Sequence, residues 1–219
     1  MSKMLVSLCI ALALASTSYG VVIGNWENAA DTTFEGWNGG WEGSTYLDYS
    51  TNGATLGSQA LLVSTAGEWG LQYAFPAPMD LTGKKLTFTV TMLPSDAANL
   101  TGWGAICADF VINSNGTSGW KQITWSGLVT CTDNWNPGQT NIDFGNWNPY
   151  TTNGFQKVYT IDLGGMGYDN TGATYEQFNF GLQMPNNTTL YFDNVQLTPE
   201  PATMALLGLG GLALIRRKK

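Results

Sequence analysis

The side chains of this sequence that could do chemistry are its carboxylates, cysteines and tryptophans: 16 Asp+Glu, three Cys and nine Trp in 219 residues, with no histidine. Without an imidazole the chain cannot build a Ser-His-Asp or Cys-His relay, nor a His-ligated zinc, haem or di-iron centre. Carboxylate pairs remain, and two of them suffice for glycoside hydrolysis. No Glu-x-Asp-x-x-Glu strand motif is present, and the abundance of acids makes chance pairs easy. A formal charge of −7 argues against nucleic acid as a partner, because phosphate binding needs a basic footprint.

Tryptophan is the more informative residue. Pyranose rings have apolar faces that stack on Trp and Tyr, while Asn, Asp and Gln bond the hydroxyls. Two segments have that composition. One is Trp37-Asn38-Gly39-Gly40-Trp41-Glu42; the other holds Asn134-Trp135-Asn136-Pro137 and its echo Asn146-Trp147-Asn148-Pro149, 12 residues on. Trp120 runs in phase with Gln122 and Thr124, on the solvated side of a strand, whereas Trp69 and Trp125 run in phase with core residues. Trp37, Trp41, Trp120, Trp135, Asn136, Trp147 and Asn148 are therefore the candidate carbohydrate-binding residues; the alternative for the second segment is a long connection pinned by Trp.

The elements that must position these residues are strands. In Lys85 to Met92, Leu86, Phe88, Val90 and Met92 alternate with Lys and Thr, the period of a half-buried strand. Trp69, Leu71, Tyr73 and Phe75 form another such face. Strands are also predicted at Tyr46 to Tyr49, Leu61 to Ser64, Ala105 to Ile112, Trp120 to Trp125, Val158 to Leu163, Phe178 to Met184 and Leu190 to Leu197. Asn52-Gly53, Pro76 to Pro78, Asn115-Gly116, Asn153-Gly154 and Pro185-Asn186-Asn187 supply turns between them. With no helical period in the body, the expected fold is all-β, an antiparallel β-sandwich.

Both ends carry addresses. Lys3, the apolar run Met4 to Ala15 and the small residues through Gly20 read as a secretory signal peptide, residues 1–20, cut after Gly20. Residues 21–198 form the body. Residues 199–219 hold an apolar run, 202–215, then a basic tail, 216–219. Fourteen helical residues span about 21 Å at 1.5 Å each, short of the bilayer core, so this short transmembrane helix needs its flanks to cross. Its terminal cations favour the cytoplasmic side and put the body outside the inner membrane. Stripped of its ends, the body has four lysines against 15 acids, a formal charge of −11. Cys107 and Cys131 are its only cysteines, and in an exported chain they most simply form one disulfide, worth about 3 kcal/mol in the chain-entropy model. Ile106, Phe110 and Ile112 are assigned to the core face, and Cys107 to the other. No imidazole or evident cation is at hand to make either thiol catalytic.

Pro199-Glu200-Pro201, a Leu/Gly-rich apolar run and a basic end that includes Arg216 and Arg217 resemble the PEP-CTERM sorting signal. That resemblance implies an exosortase as partner, a Gram-negative cell envelope, outer surface or extracellular matrix as destination, and an association with exopolysaccharide or biofilm.

Three phrases of the body resemble the galactose-binding-like jelly rolls of carbohydrate-binding modules: Ile23-Gly24-Asn25-Trp26-Glu27, Asp80-Leu81-Thr82-Gly83-Lys84, and Asp193-Asn194-Val195 near the end. The resemblance implies that first and last strands lie side by side, with a structural Ca²⁺ where they meet; Glu27 and Asp193 are the matching carboxylates, and hard oxygen ligands suit that ion. The expected function is a non-enzymatic exported protein that binds extracellular polysaccharide. The alternatives are a polysaccharide hydrolase or lyase using paired carboxylates, and a purely structural surface protein.

Overall fold

The computed structural model describes residues 20–40, 45–64, 70–98, 105–123, 128–135, 154–183 and 189–199. They form two antiparallel sheets. The larger runs β3 (Tyr46–Ser50), β4 (Ala60–Ser64), β12 (Thr189–Pro199), β6 (Lys84–Met92), β10 (Phe155–Asp162), β9 (Val129–Asp133), with β1 (Val21–Gly24) beside β12. The smaller runs β2 (Trp37–Asn38), β5 (Leu71–Ala74), β11 (Glu176–Gln183), β7 (Ala105–Ser114), β8 (Lys121–Ile123). The only α-helix among the described residues is α1 (Pro94–Ala97). This is the expected β-sandwich in a jelly-roll arrangement, and no helix of the described residues is long and apolar enough to cross a membrane.

Alternation sets the layers. Leu86, Phe88, Val90 and Met92 of β6 point inward and meet Phe178 and Phe180 of β11 and Phe110 and Ile112 of β7. Phe180 contacts the rings of Phe88, Phe110, Phe192 and Trp37, so one side chain couples both sheets. Such aromatic pairs add to the burial energy of each ring. β1 pairs with β12 through Val21↔Leu197, so the first and last strands do lie side by side.

Three strands lie outside the spans read from alternation: β1, which only the resemblance implied, β2 and β9. β1 and β2 are four and two residues long, and all three pair with strands far away in sequence or across a long connection. Trp37 also requires correction as a sugar-binding candidate. It is 2% exposed, its indole N–H donates to the Ile23 carbonyl at 2.7 Å, and it packs on Trp26 and Tyr73. The Gly-rich stretch that follows gives it the look of a loop residue, but Trp37 itself is a core anchor.

The expected disulfide reaches partly beyond the described side chains. Cys131 points inward from β9, and Cys107 belongs to β7 of the other sheet, with its side chain not described. A bridge would tie one sheet to the other.

A buried carboxylate holds the end of the sandwich where β5 passes into β6. Glu176 accepts hydrogen bonds from the Met79 amide at 2.8 Å and the Asn170 side-chain amide at 3.1 Å. Burial pushes its carboxyl above the ordinary range, against the pull of these donors. A carboxyl raised by folding adds stability that is complete below its unfolded value and is lost as the pH rises through the folded one. Glu176→Gln cannot ionise. Its melting temperature relative to the parent should therefore increase between about pH 4 and pH 7, measured by scanning calorimetry; a constant difference would show that Glu176 does not titrate in this way.

Candidate functional site

The two sheets present different outer faces. On the larger sheet, Thr89, Thr91, Tyr191 and Asp193 face outward yet are buried, because the β3–β4 connection, residues 51–59, lies over them. Asp193 anchors that connection. Its Oδ2 accepts from the Thr55 amide and hydroxyl and from the Leu56 amide, the last at 2.6 Å, while Oδ1 accepts from Asn194. Glu27 anchors the other half, taking the Ser58 and Gln59 amides at 2.8 and 3.0 Å and the Ser58 hydroxyl. Burial pushes the Asp193 carboxyl up; its Thr55, Leu56 and Asn194 donors oppose that rise. The Gln59 and Ser58 amides hold the exposed Glu27 below the ordinary range. Close approach is required here. Gly53, at φ 75°, faces Tyr191 and Thr91 where a Cβ would collide.

These two carboxylates are the proposed calcium ligands. The structure brings them to opposite halves of one loop, where their oxygens serve N–H and O–H donors. Oxygen chemistry suits the ion, but a cation there would have to share or displace those donors. Among the described residues no three His, Cys, Asp or Glu side chains gather as a metal cluster.

The smaller sheet offers the contrast. Register places Asn38, Gln72, Asn179, Val111 and Gln122 in one row across all five strands. The next row holds Ala74, Gln177 and Asn113. Each alternates with core residues, such as Phe178 and Phe180 around Asn179, so the side chains belong to the outer face. Uncharged amides dominate it. Gln72 donates to Gln177 at 2.8 Å, and the Tyr175 hydroxyl reaches Asn113 at 3.4 Å.

Burial deepens toward the middle of the row: Asn38 and Gln122 are exposed, Gln72 is half-buried, and Asn179 is 1% exposed. Neither the amide nitrogen nor the amide oxygen of Asn179 has a hydrogen-bond partner. Buried amides lacking partners cost about 1–3 kcal/mol per group, and are rare enough in folded proteins to mark a place where another group is expected.

Aromatic side chains flank this face at one end. The Ser114 amide bonds Gly119, which puts Trp120 across from Asn113; Trp120 is 46% exposed, on the solvated side as its phase predicted, and Tyr175 stands exposed beside the same asparagine. Trp135 is also exposed, but it follows β9 of the other sheet. Trp41, Asn136, Trp147 and Asn148 lie outside the described residues. An open depression of about 520 Å³ adjoins the exposed Asn38, lined by Thr32, Thr33, Phe34, Thr45 and Tyr46. The Tyr46 hydroxyl is held by Asp48 at 2.8 Å.

Sequence reading missed Gln72, Gln177, Asn179 and Asn113. The signal was present: each is a polar residue at the outward phase of a strand whose inward phase is aromatic or aliphatic. Most described carboxylates instead fold back onto nearby backbone, as Asp31 does on Thr33 and Glu35, Asp80 on Thr82, and Asp169 on Thr171.

Replacing Asn179 separates the two uses of a buried amide. Asn179→Ala should leave the melting temperature unchanged or higher by a few degrees, since it removes two unpartnered polar groups. A fall of several degrees would show that the amide supports the fold itself.

Several solved structures are similar to this chain. The CBM22-1 xylan-binding domain of Paenibacillus barcinonensis Xyn10C aligns over 83% of this chain and 96% of its own, at 12% identity and a TM-score of 0.49. Caldicellulosiruptor saccharolyticus CBM27-1, solved in complex with mannohexaose, aligns over 83% and 98%, at 16% identity and a TM-score of 0.46. The C-terminal family 22 module of Clostridium thermocellum Xyn10B aligns over 84% and 94%, at 13% identity and a TM-score of 0.45. No curated protein matches the chain. Residues 197–219 match the family model of the PEP-CTERM protein-sorting motif, so this β-sandwich carries a sorting tail of the exosortase-substrate type.

Proposed function

We propose that this is an exported, exosortase-sorted envelope or matrix protein that binds a neutral polysaccharide without cleaving it, on the outer face of its five-stranded sheet. The observation that carries the reading is the uncharged amide row, in which the exposed Asn38 and Gln122 and the half-buried Gln72 offer donors and acceptors around the buried, unpartnered Asn179. Sugar hydroxyls donate and accept together, so they match amides better than they match carboxylates or cations. Five strands at 4.8 Å give the row a length of roughly 19 Å, room for a few pyranose rings in line. Trp120 and Tyr175 supply apolar faces beside it. Association with exopolysaccharide or biofilm is part of the same proposal.

Affinity electrophoresis of residues 21–198 through gels containing neutral polysaccharides tests it. Migration should be retarded by at least one such polymer. Gln72→Ala, Gln122→Ala and Trp120→Ala should each weaken the retardation about tenfold, the loss of one good contact. Retardation that survives all three would move the site elsewhere, and release of reducing ends or unsaturated products would favour the hydrolase or lyase reading.

We also propose one structural Ca²⁺ at Glu27 and Asp193, where it would anchor residues 51–59. The melting temperature should then fall by several degrees in EDTA and recover with excess calcium, since a ligand bound to the folded state alone stabilises it by mass action. An unchanged value would assign the anchoring to the N–H donors alone.

A further inference from the structure

The end of the sandwich from which the sorting tail emerges has a surface of its own. β12 stays in the sheet to its last residue: Thr198 pairs with Lys85, and Pro199, first residue of the Pro-Glu-Pro motif, pairs with Lys84. No spacer separates the domain from the matched sorting segment, which begins within the strand at residue 197. β1 lies on the other side of β12 and starts at the same end, with Val21 opposite Leu197.

Other elements converge there. β10 finishes with Asp162 opposite Lys85, and Gly164 donates to the Lys84 carbonyl. The chain then passes Asp169 and Thr171, which bond the β7–β8 turn, and enters β11 at Glu176 opposite Ser114. This end thus collects Val21 and Val22, both more than 40% exposed, together with the exposed Trp120 and Tyr175. It also collects Lys84, Lys85 and Lys121, three of the four lysines in residues 21–198. Asp80, Asp162, Asp169 and the buried Glu176 stand near them, so this end is close to neutral while the body as a whole carries −11.

We propose that this end is a membrane-contacting surface, seated on phospholipid headgroups while the sorting tail is held in the bilayer. Valine, tryptophan, tyrosine and lysine are the side chains that suit the interface between hydrocarbon and water. An acidic body is repelled by anionic lipid, so the end where its charge is cancelled approaches at least cost. The absence of a spacer supplies the third element, because it keeps this end, rather than another, within a few residues of the apolar run at 202–215. The amide face would then stand upright from the membrane, with Trp120 and Tyr175 at its foot.

The experiment uses the full chain through Lys219, placed in phosphatidylethanolamine–phosphatidylglycerol vesicles with no processing enzyme present. Photoreactive benzoyl-phenylalanine is placed at Val22 or, as a control at the opposite end, at exposed Tyr46. Lipid adducts at position 22 should exceed those at position 46 at least fivefold, and a 12-residue Gly/Ser spacer between Thr198 and Pro199 should bring the two level. Equal adducts at the two positions in the unspaced chain would overturn the proposal, as would adducts at position 22 that ignore the spacer. Lipid adducts report the contact whether or not the sheet face binds a glycan.

Discussion

The position of one carboxylate decides which surface of this sandwich is left to face the outside. Asp193 sits in the middle of the larger sheet on its outer side, fully buried, where an unpaired charge would be costly. It is tolerated because four N–H and O–H donors converge on it, three of them from Thr55 and Leu56. Charge-assisted bonds of this kind exceed neutral ones in strength. Through them a nine-residue connection with five exposed positions and little apolar content is drawn onto Tyr191 and Thr91, and Glu27 holds its far half. Remove that constraint and the outer side of the larger sheet would expose Thr, Tyr and Asp, as the two ends of the smaller sheet's row expose Asn38 and Gln122.

The asymmetry gives the molecule a front and a back. On the covered side Asp193 has its hydrogen bonds supplied by Thr55, Leu56 and Asn194, whereas on the amide side both side-chain atoms of Asn179 lack partners. A protein optimised for stability alone would place an apolar residue or a bonded pair at Asn179. Retaining both amide atoms without partners at the middle of a row of uncharged polar groups is the kind of local inconsistency that accompanies binding sites.

Much of this was legible in the sequence. Strands such as Lys84–Met92 and Phe155–Asp162 announce themselves by alternation, and the terminal addresses by composition. The pairing of the opening with the Asp193-Asn194-Val195 segment was reached through resemblance, and β1 against β12 agrees with it. What was not legible depended on partners distant in the chain. β2 is a strand only because Trp37 and Asn38 find Tyr73 and Gln72. Trp37 was assigned to a binding rim because two glycines and a tryptophan follow it, whereas the Ile23 carbonyl that fixes it lies 14 residues upstream. The amide row was hidden for a different reason. Its members come from five strands, and no window of sequence contains more than two of them.

The location of β12 also bears on when the protein can fold. This strand is the last in sequence yet an interior one, with β6 on one side and β4 and β1 on the other. Without it the larger sheet falls into β3–β4, β6–β10–β9 and an unpaired β1, and Phe192 is missing from the ring cluster that joins the layers. A chain threaded through a membrane from its N-terminus therefore cannot close its core until residue 199 has emerged, at the moment when the sorting tail reaches the bilayer. For an exported chain, translocation and folding then become one ordered event, with the slow, long-range pairing of the first strand with the last as its closing step.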